Sequence, residues 1–160
     1  MKPIVILIAV AVVLFVSAYI SRRRFGLLGL ALSAGYILSD LWQYDAGIIA
    51  GIIGISNSTY SSALILSAIT LLPAVLLLFH GYAYRTFIGR LIGASLFTLL
   101  ALTFLIDPLS HMIAIKDDVS SIYSWLVNNR EVIIGSGLTV SVIDLFMTKP
   151  VHLADKKRRH

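Results

Sequence analysis

Four stretches of this chain are too long and too apolar for the interior of a small soluble domain. PIVILIAVAVVLFVSAYI runs from Pro3 to Ile20, FGLLGLALSAGYILSDLW from Phe25 to Trp42, SSALILSAITLLPAVLLLF from Ser61 to Phe79 and FIGRLIGASLFTLLALTFLI from Phe87 to Ile106. A helix of roughly 20 apolar residues crosses a hydrocarbon layer about 30 Å thick, and all four runs come close to that length. A fifth run, EVIIGSGLTVSVIDLF from Glu131 to Phe146, is shorter and more polar. Hydrophobic residues make up 58% of the 160 positions and charged ones only 13%, more apolar surface than one soluble core of this size can hide. The expectation is an all-α integral membrane protein: a bundle of about five transmembrane helices over residues 1–148, followed by a basic tail at 149–160.

The charges fall between the runs, and their sign alternates. Arg22, Arg23 and Arg24 follow the first run, Asp40 and Asp45 the second, and Arg85 and Arg90 the third. Asp107, Asp117 and Asp118 follow the fourth against Lys116, and Lys149, Lys156, Lys157, Arg158 and Arg159 follow the fifth. Cytoplasmic loops are enriched in Lys and Arg close to the membrane helices. Five crossings with the N-terminus out and the C-terminus in place every basic cluster on the inner side; removing the fifth would put the KKRRH tail outside. A cleavable signal peptide is the rival for the first run, because Lys2 precedes it and Val16-Ser17-Ala18 resembles a small-residue cleavage site. The weakly charged start and the length of the run favour a crossing.

Two segments fit no simple crossing. AGIIAGIIGI at 46–55 is ten residues long, too short to span as a helix. It reads as an outer loop or short interfacial helix, with a re-entrant segment as the alternative. At 118–130, Val119, Ile122, Tyr123, Leu126 and Val127 recur at helical spacing while Ser and Asn fall elsewhere. This predicts an amphipathic helix capped by Asp118, lying on the membrane surface or packed on the bundle. Two prolines punctuate the runs: Pro73 is expected to kink the third helix, and Asp107-Pro108 to end the fourth.

Candidate chemistry is sparse. No cysteine is present, so thiolate metal sites, thiol catalysis and disulfides are excluded. His111, His152 and His160 are scattered without ligand spacing, and His80 sits among Tyr82, Tyr84 and Arg85 as an interfacial anchor. No nucleophile elbow, phosphate-binding glycine loop or carboxylate pair is present, so no catalytic residue, metal or cofactor is expected. The basic residues form turns without interleaved aromatics, so nucleic acid is not an expected partner. What remains are small and polar stripes. Gly29, Ser33, Tyr36 and Asp40 line one face of the second run, and Gly137, Ser141 and Asp144 one face of the fifth. Facing each other, they would form a polar seam. The favoured reading is plainer: Asp40 and Asp144 end their helices at opposite interfaces. Gly89 and Gly93 form a GxxxG step suited to helix packing, and Arg90 between them reaches either lipid phosphates or a carboxylate such as Asp144.

The arginine and glycine turn at Arg22 to Gly26 leading into LLGLALSAGY, and Gly-Arg-Leu-Ile-Gly at 89–93, together resemble the colicin V production protein family of small bacterial inner-membrane proteins. Arg90 and Gly93 match the family's Asp-Arg-x-x-Gly-x-x-x-Gly pattern. Gly89 stands in place of its aspartate and Phe97 in place of its last glycine. The resemblance covers residues 4–106 at most and implies a non-enzymatic, multi-pass protein of the bacterial inner membrane with a role in secretion or envelope physiology. The expected function is an accessory or assembly subunit whose partners are membrane lipids and other membrane proteins or copies of itself. The alternative is a small oligomeric channel or transporter with a polar pathway near Asp40 and Asp144.

Overall fold

The computed structural model describes residues 3–52, 59–79, 84, 86–112 and 121–147, and among them every regular element is a helix. In chain order they are α1 (Pro3–Ser21), α2 (Phe25–Leu41), α3 (Ala46–Ile52), α4 (Thr59–Phe79), α5 (Phe87–Met112), α6 (Ser121–Asn128) and α7 (Arg130–Phe146). Pro3 opens α1, where its missing N–H costs no helical bond. Arg22 stops α1 with a φ of 57°, and its N–H returns to the Ala18 carbonyl at 3.2 Å. Such left-handed residues close many helices.

α2 is the central element. It lies between α4 and α7, while α5 packs against α1 and α4. Phe25, Leu28 and Leu32 of α2 meet Phe97, Leu100, Phe104 and Leu105 of α5, with Ala74 of α4 and Leu14 and Ala18 of α1 completing the core. A smaller cluster of Leu126, Ile106 and Ile133 ties α6 to α5 and α7. The close approaches of α2 depend on missing side chains. A methyl group on Gly35 would overlap the Thr70 carbonyl oxygen of α4 and lie 3.0 Å from the Pro73 ring. One on Gly29 would overlap the Ser141 hydroxyl, and one on Gly26 would stand 2.6 Å from the Ser141 carbonyl. Without a Cβ on α2, the neighbouring backbones draw within van der Waals reach.

The outside of the bundle, like its inside, carries many large apolar side chains. Val12, Val13 and Ile20 of α1, Leu64, Leu76 and Phe79 of α4, and Phe87 and Ile88 of α5 are all more than half exposed, while Ser39, Ser61, Thr70, Thr103 and Ser141 are buried. A soluble domain does not usually expose so many large apolar side chains together. Three of the buried hydroxyls are satisfied within their own helices: Thr70, Thr103 and Ser141 donate to Leu66, Leu99 and Gly137 at 2.8–2.9 Å; Ser39 of α2 donates across to the Leu66 carbonyl of α4 at 3.2 Å. The exposed Ser95 and Thr139 likewise donate to Leu91 and Gly135. Two segments, Ser61–Phe79 and Phe87–Pro108, are long and apolar enough to cross a membrane by length and composition.

One expectation changes. The fourth run does not stop at Asp107-Pro108; α5 continues to Met112 with the proline inside it. Proline removes its own helical bond, and the rest of the turn persists because Pro108 is buried and Asp107 is anchored to α7. Within the described residues the amphipathic helix covers Ser121–Asn128, and Asp118 lies outside them. Its Leu126 is buried against the bundle while Trp125 stays exposed. The 46–55 segment contains a seven-residue helix, Ala46–Ile52, set off from α2 by a turn and resting against α4; residues 53–58, His80, Arg85 and the 149–160 tail are outside the described residues.

Gly35→Leu is expected to destabilise the bundle by about 3 kcal/mol or more, since the added side chain has only α4 backbone to displace. Gly135→Leu, at a position with nothing within 4 Å of its Cβ, should leave the midpoint of detergent-titrated unfolding within error of the parent.

Candidate functional site

Polar side chains gather at the two ends of the bundle. At one end the chain passes from α1 to α2, from α4 to α5, and out of α7. The first amides of α2 have no partner in their own helix, and the Arg24 side chain gives no cap. The cap comes from elsewhere: the Asp144 carboxylate of α7 accepts the Gly26 N–H at 2.9 Å, and the Tyr84 hydroxyl accepts the Phe25 N–H at 3.2 Å. An acceptor carrying negative charge at a helix N-terminus also meets the positive end of its dipole. Tyr84 is fixed by its own N–H to the Arg22 carbonyl at 2.8 Å and by the Arg24 guanidinium over its ring. Burial, aided by the Asp144 carboxylate, holds its phenol above the usual tyrosine range, so it stays protonated at physiological pH.

The helix C-termini at this end receive cations. Ser21 and Arg23 donate to the Leu78 carbonyl at 2.6 and 3.1 Å, and Arg23 donates to Phe79 at 2.8 Å, closing α4. Arg90 donates to the Tyr19 carbonyl at 3.3 Å and stacks on the Tyr19 ring at 4.7 Å, closing α1. Positive groups suit the negative end of a helix dipole.

At the opposite end stands a second cluster. Arg130, the first residue of α7, donates to both oxygens of Asp107 in α5, one bond measuring 2.7 Å, and to the Tyr36 hydroxyl of α2 at 2.7 Å. Tyr36 donates to Asp107 at 3.2 Å and stacks on Phe104 with 4.7 Å between ring centres. A planar guanidinium gripping both carboxylate oxygens is the more specific form of ion pair. Beside it opens a cleft of about 220 Å³ lined by Tyr36, Ser39, Asp40, Gln43, Leu66, Asp107 and Pro108.

The sequence-derived candidates divide between these places. Gly29 and Ser141 meet, and Asp144 lies one helical turn beyond them against Gly26. Ser33 donates to its own helix at Gly29, and Asp40 is exposed at the far end on the cleft. Gly137 seats Leu100 of α5. Gly89 and Gly93 face no helix: added methyls would stand 3.0 and 2.7 Å from the Tyr84 ring. The step makes room for an aromatic anchor, because the Tyr84 ring lies against the start of α5. Arg90 reaches Tyr19 and not Asp144, which the start of α2 already occupies. Tyr84, Gly26, Asp107 and Arg130 were absent from the candidates. The one sequence signal for the last two was opposite charge at two predicted run boundaries.

Among the described residues no group of three His, Asp or Glu side chains is placed to hold a metal. The arrangement ties helix ends together. No family model, no curated protein and no solved structure matches this chain.

Asp144→Ala should cost about 1–2 kcal/mol of stability, the range for loss of a helix cap, whereas Asp144→Asn should retain most of it because an amide oxygen still accepts the Gly26 N–H. Unfolding in mixed micelles by circular dichroism measures both.

Proposed function

We propose that the chain is a five-crossing protein of the bacterial inner membrane, N-terminus out and C-terminus in. In this reading it serves as a non-enzymatic accessory or assembly subunit with other membrane proteins in envelope or secretion processes. The observation that carries the membrane part is the apolar outer surface of the bundle. Large apolar side chains cover the outer faces of α1, α4 and α5, while the backbone groups freed at the helix ends are met by Arg23, Arg90, Tyr84 and Asp144. Lipid tolerates this arrangement, and water does not favour it. The alternating course of α1, α2, α4, α5 and α7 between the two polar ends agrees with an odd number of crossings. The secretion and envelope context draws on the arginine and glycine patterns at 22–26 and 89–93.

The subunit part is supported by α7. It touches the bundle along one side through Ser141 and Gly137, and on its open side Gly135 has free space around it, with Thr139 and Ile143 exposed along the same face. Small residues one turn apart admit another helix closely. For the channel alternative, the middle of a single chain is filled by Phe25, Leu28, Leu32, Phe97, Leu100 and Phe104. A pathway would have to run between copies, with the Asp40 cleft at its mouth.

A photocrosslinker at Thr139 in native membranes should give a discrete adduct heavier than the monomer, and one at Val13 on the outer face of α1 should not. A lone monomer from both positions overturns the subunit reading. Ion flux through liposomes containing the purified chain, abolished by Asp40→Asn, would replace it with the channel.

A further inference from the structure

α7 is less apolar than α1, α2, α4 or α5. Its 17 residues include Arg130, Glu131, Asp144, two glycines and the three hydroxyl side chains Ser136, Thr139 and Ser141.

 At about 1.5 Å per residue, a helix of this length falls short of a hydrocarbon layer about 30 Å thick. By itself it is a poor membrane segment, yet the five-crossing reading needs it to span.

The bundle meets several of the polar and small positions of α7. Arg130 grips Asp107 of α5 and the Tyr36 hydroxyl of α2 at one end, and Asp144 caps α2 at the other. Between them Ser141 fills the notch at Gly29, and Gly137 seats Leu100. All of these receiving groups belong to helices that precede α7 in the chain. Asp107 and Arg130 each oppose insertion as single charges, and pairing removes much of that opposition.

We propose that α7 is held across the membrane by docking on the preceding helices, with the Arg130 contact to Asp107 and Tyr36 as the signal that fixes this last crossing and so the side on which the basic tail emerges. The proposal rests on the five-crossing reading above, and it runs against the general charge rule. Arg130 lies on the outer side in that reading, where a positive charge disfavours the assigned orientation. The charge rule therefore expects removal of Arg130 to leave the tail inside or to secure it there, whereas docking expects the tail to be misplaced.

The chain has no cysteine, so Ala154→Cys in the tail gives a single reporter for a membrane-impermeant maleimide, applied to intact cells and to inverted vesicles. In the otherwise unchanged chain the reporter should react only in inverted vesicles. With Arg130→Gln, labelling in intact cells should rise about tenfold, the shift expected from losing one hydrogen-bonded charge pair. Combining Asp107→Arg with Arg130→Asp should return it to the starting level. Labelling of the unchanged chain in intact cells would overturn the five-crossing reading itself. Correct sidedness in that chain and no change with Arg130→Gln would overturn the docking proposal alone. So would an exchanged pair that stays as misplaced as Arg130→Gln.

Discussion

Each helix leaves unbonded N–H groups at its start and unbonded carbonyls at its end, and away from bulk water those groups need partners. In this bundle the partners come from other helices. The start of α2 is met by Tyr84 and by Asp144 of α7, the end of α4 by Ser21 and Arg23, and the end of α1 by Arg90 of α5. A polar requirement at each terminus thereby becomes a contact between elements. Arg23 and Arg90, members of the basic clusters in the sequence, are also groups that close helices.

Close contact along the helices has a different origin. α2 carries glycine at 26, 29 and 35 where Ser141 and Thr70 approach, and it is flanked by α4 and α7. Hydrophobic burial gives little preference for one neighbour over another when the surroundings are as apolar as the core. Shape and end contacts then decide the arrangement, which explains why the most constrained residues here are glycines, hydroxyls and charges. The large aliphatic side chains on the outer faces need only be apolar.

Much of the helical content was legible because run length is a strong signal. The runs beginning at Pro3, Phe25 and Phe87 start where α1, α2 and α5 start, and α4 ends at Phe79 as its run does. The boundary at Asp107 was misread because Asp-Pro is a common stop, and nothing local reveals that a partner at Arg130 holds the carboxylate within a longer helix. The glycines at 89 and 93 suggested a helix crossing, since spacing alone does not distinguish a neighbouring helix from a tyrosine ring. Asp144 was visible as a polar residue on a small-residue stripe. Its role at the start of α2 depends on which helices are neighbours, and hydropathy carries no information about that.

α1 packs chiefly on α5, from which α2 and α4 separate it in the chain. During synthesis the first helix therefore leaves the ribosome long before its main neighbour exists. Until α5 arrives, Leu14 and Ala18, which the finished bundle covers, lack the neighbour that buries them. The order of translation thus imposes a waiting period on the oldest part of the molecule, and final assembly is paced by a helix made late.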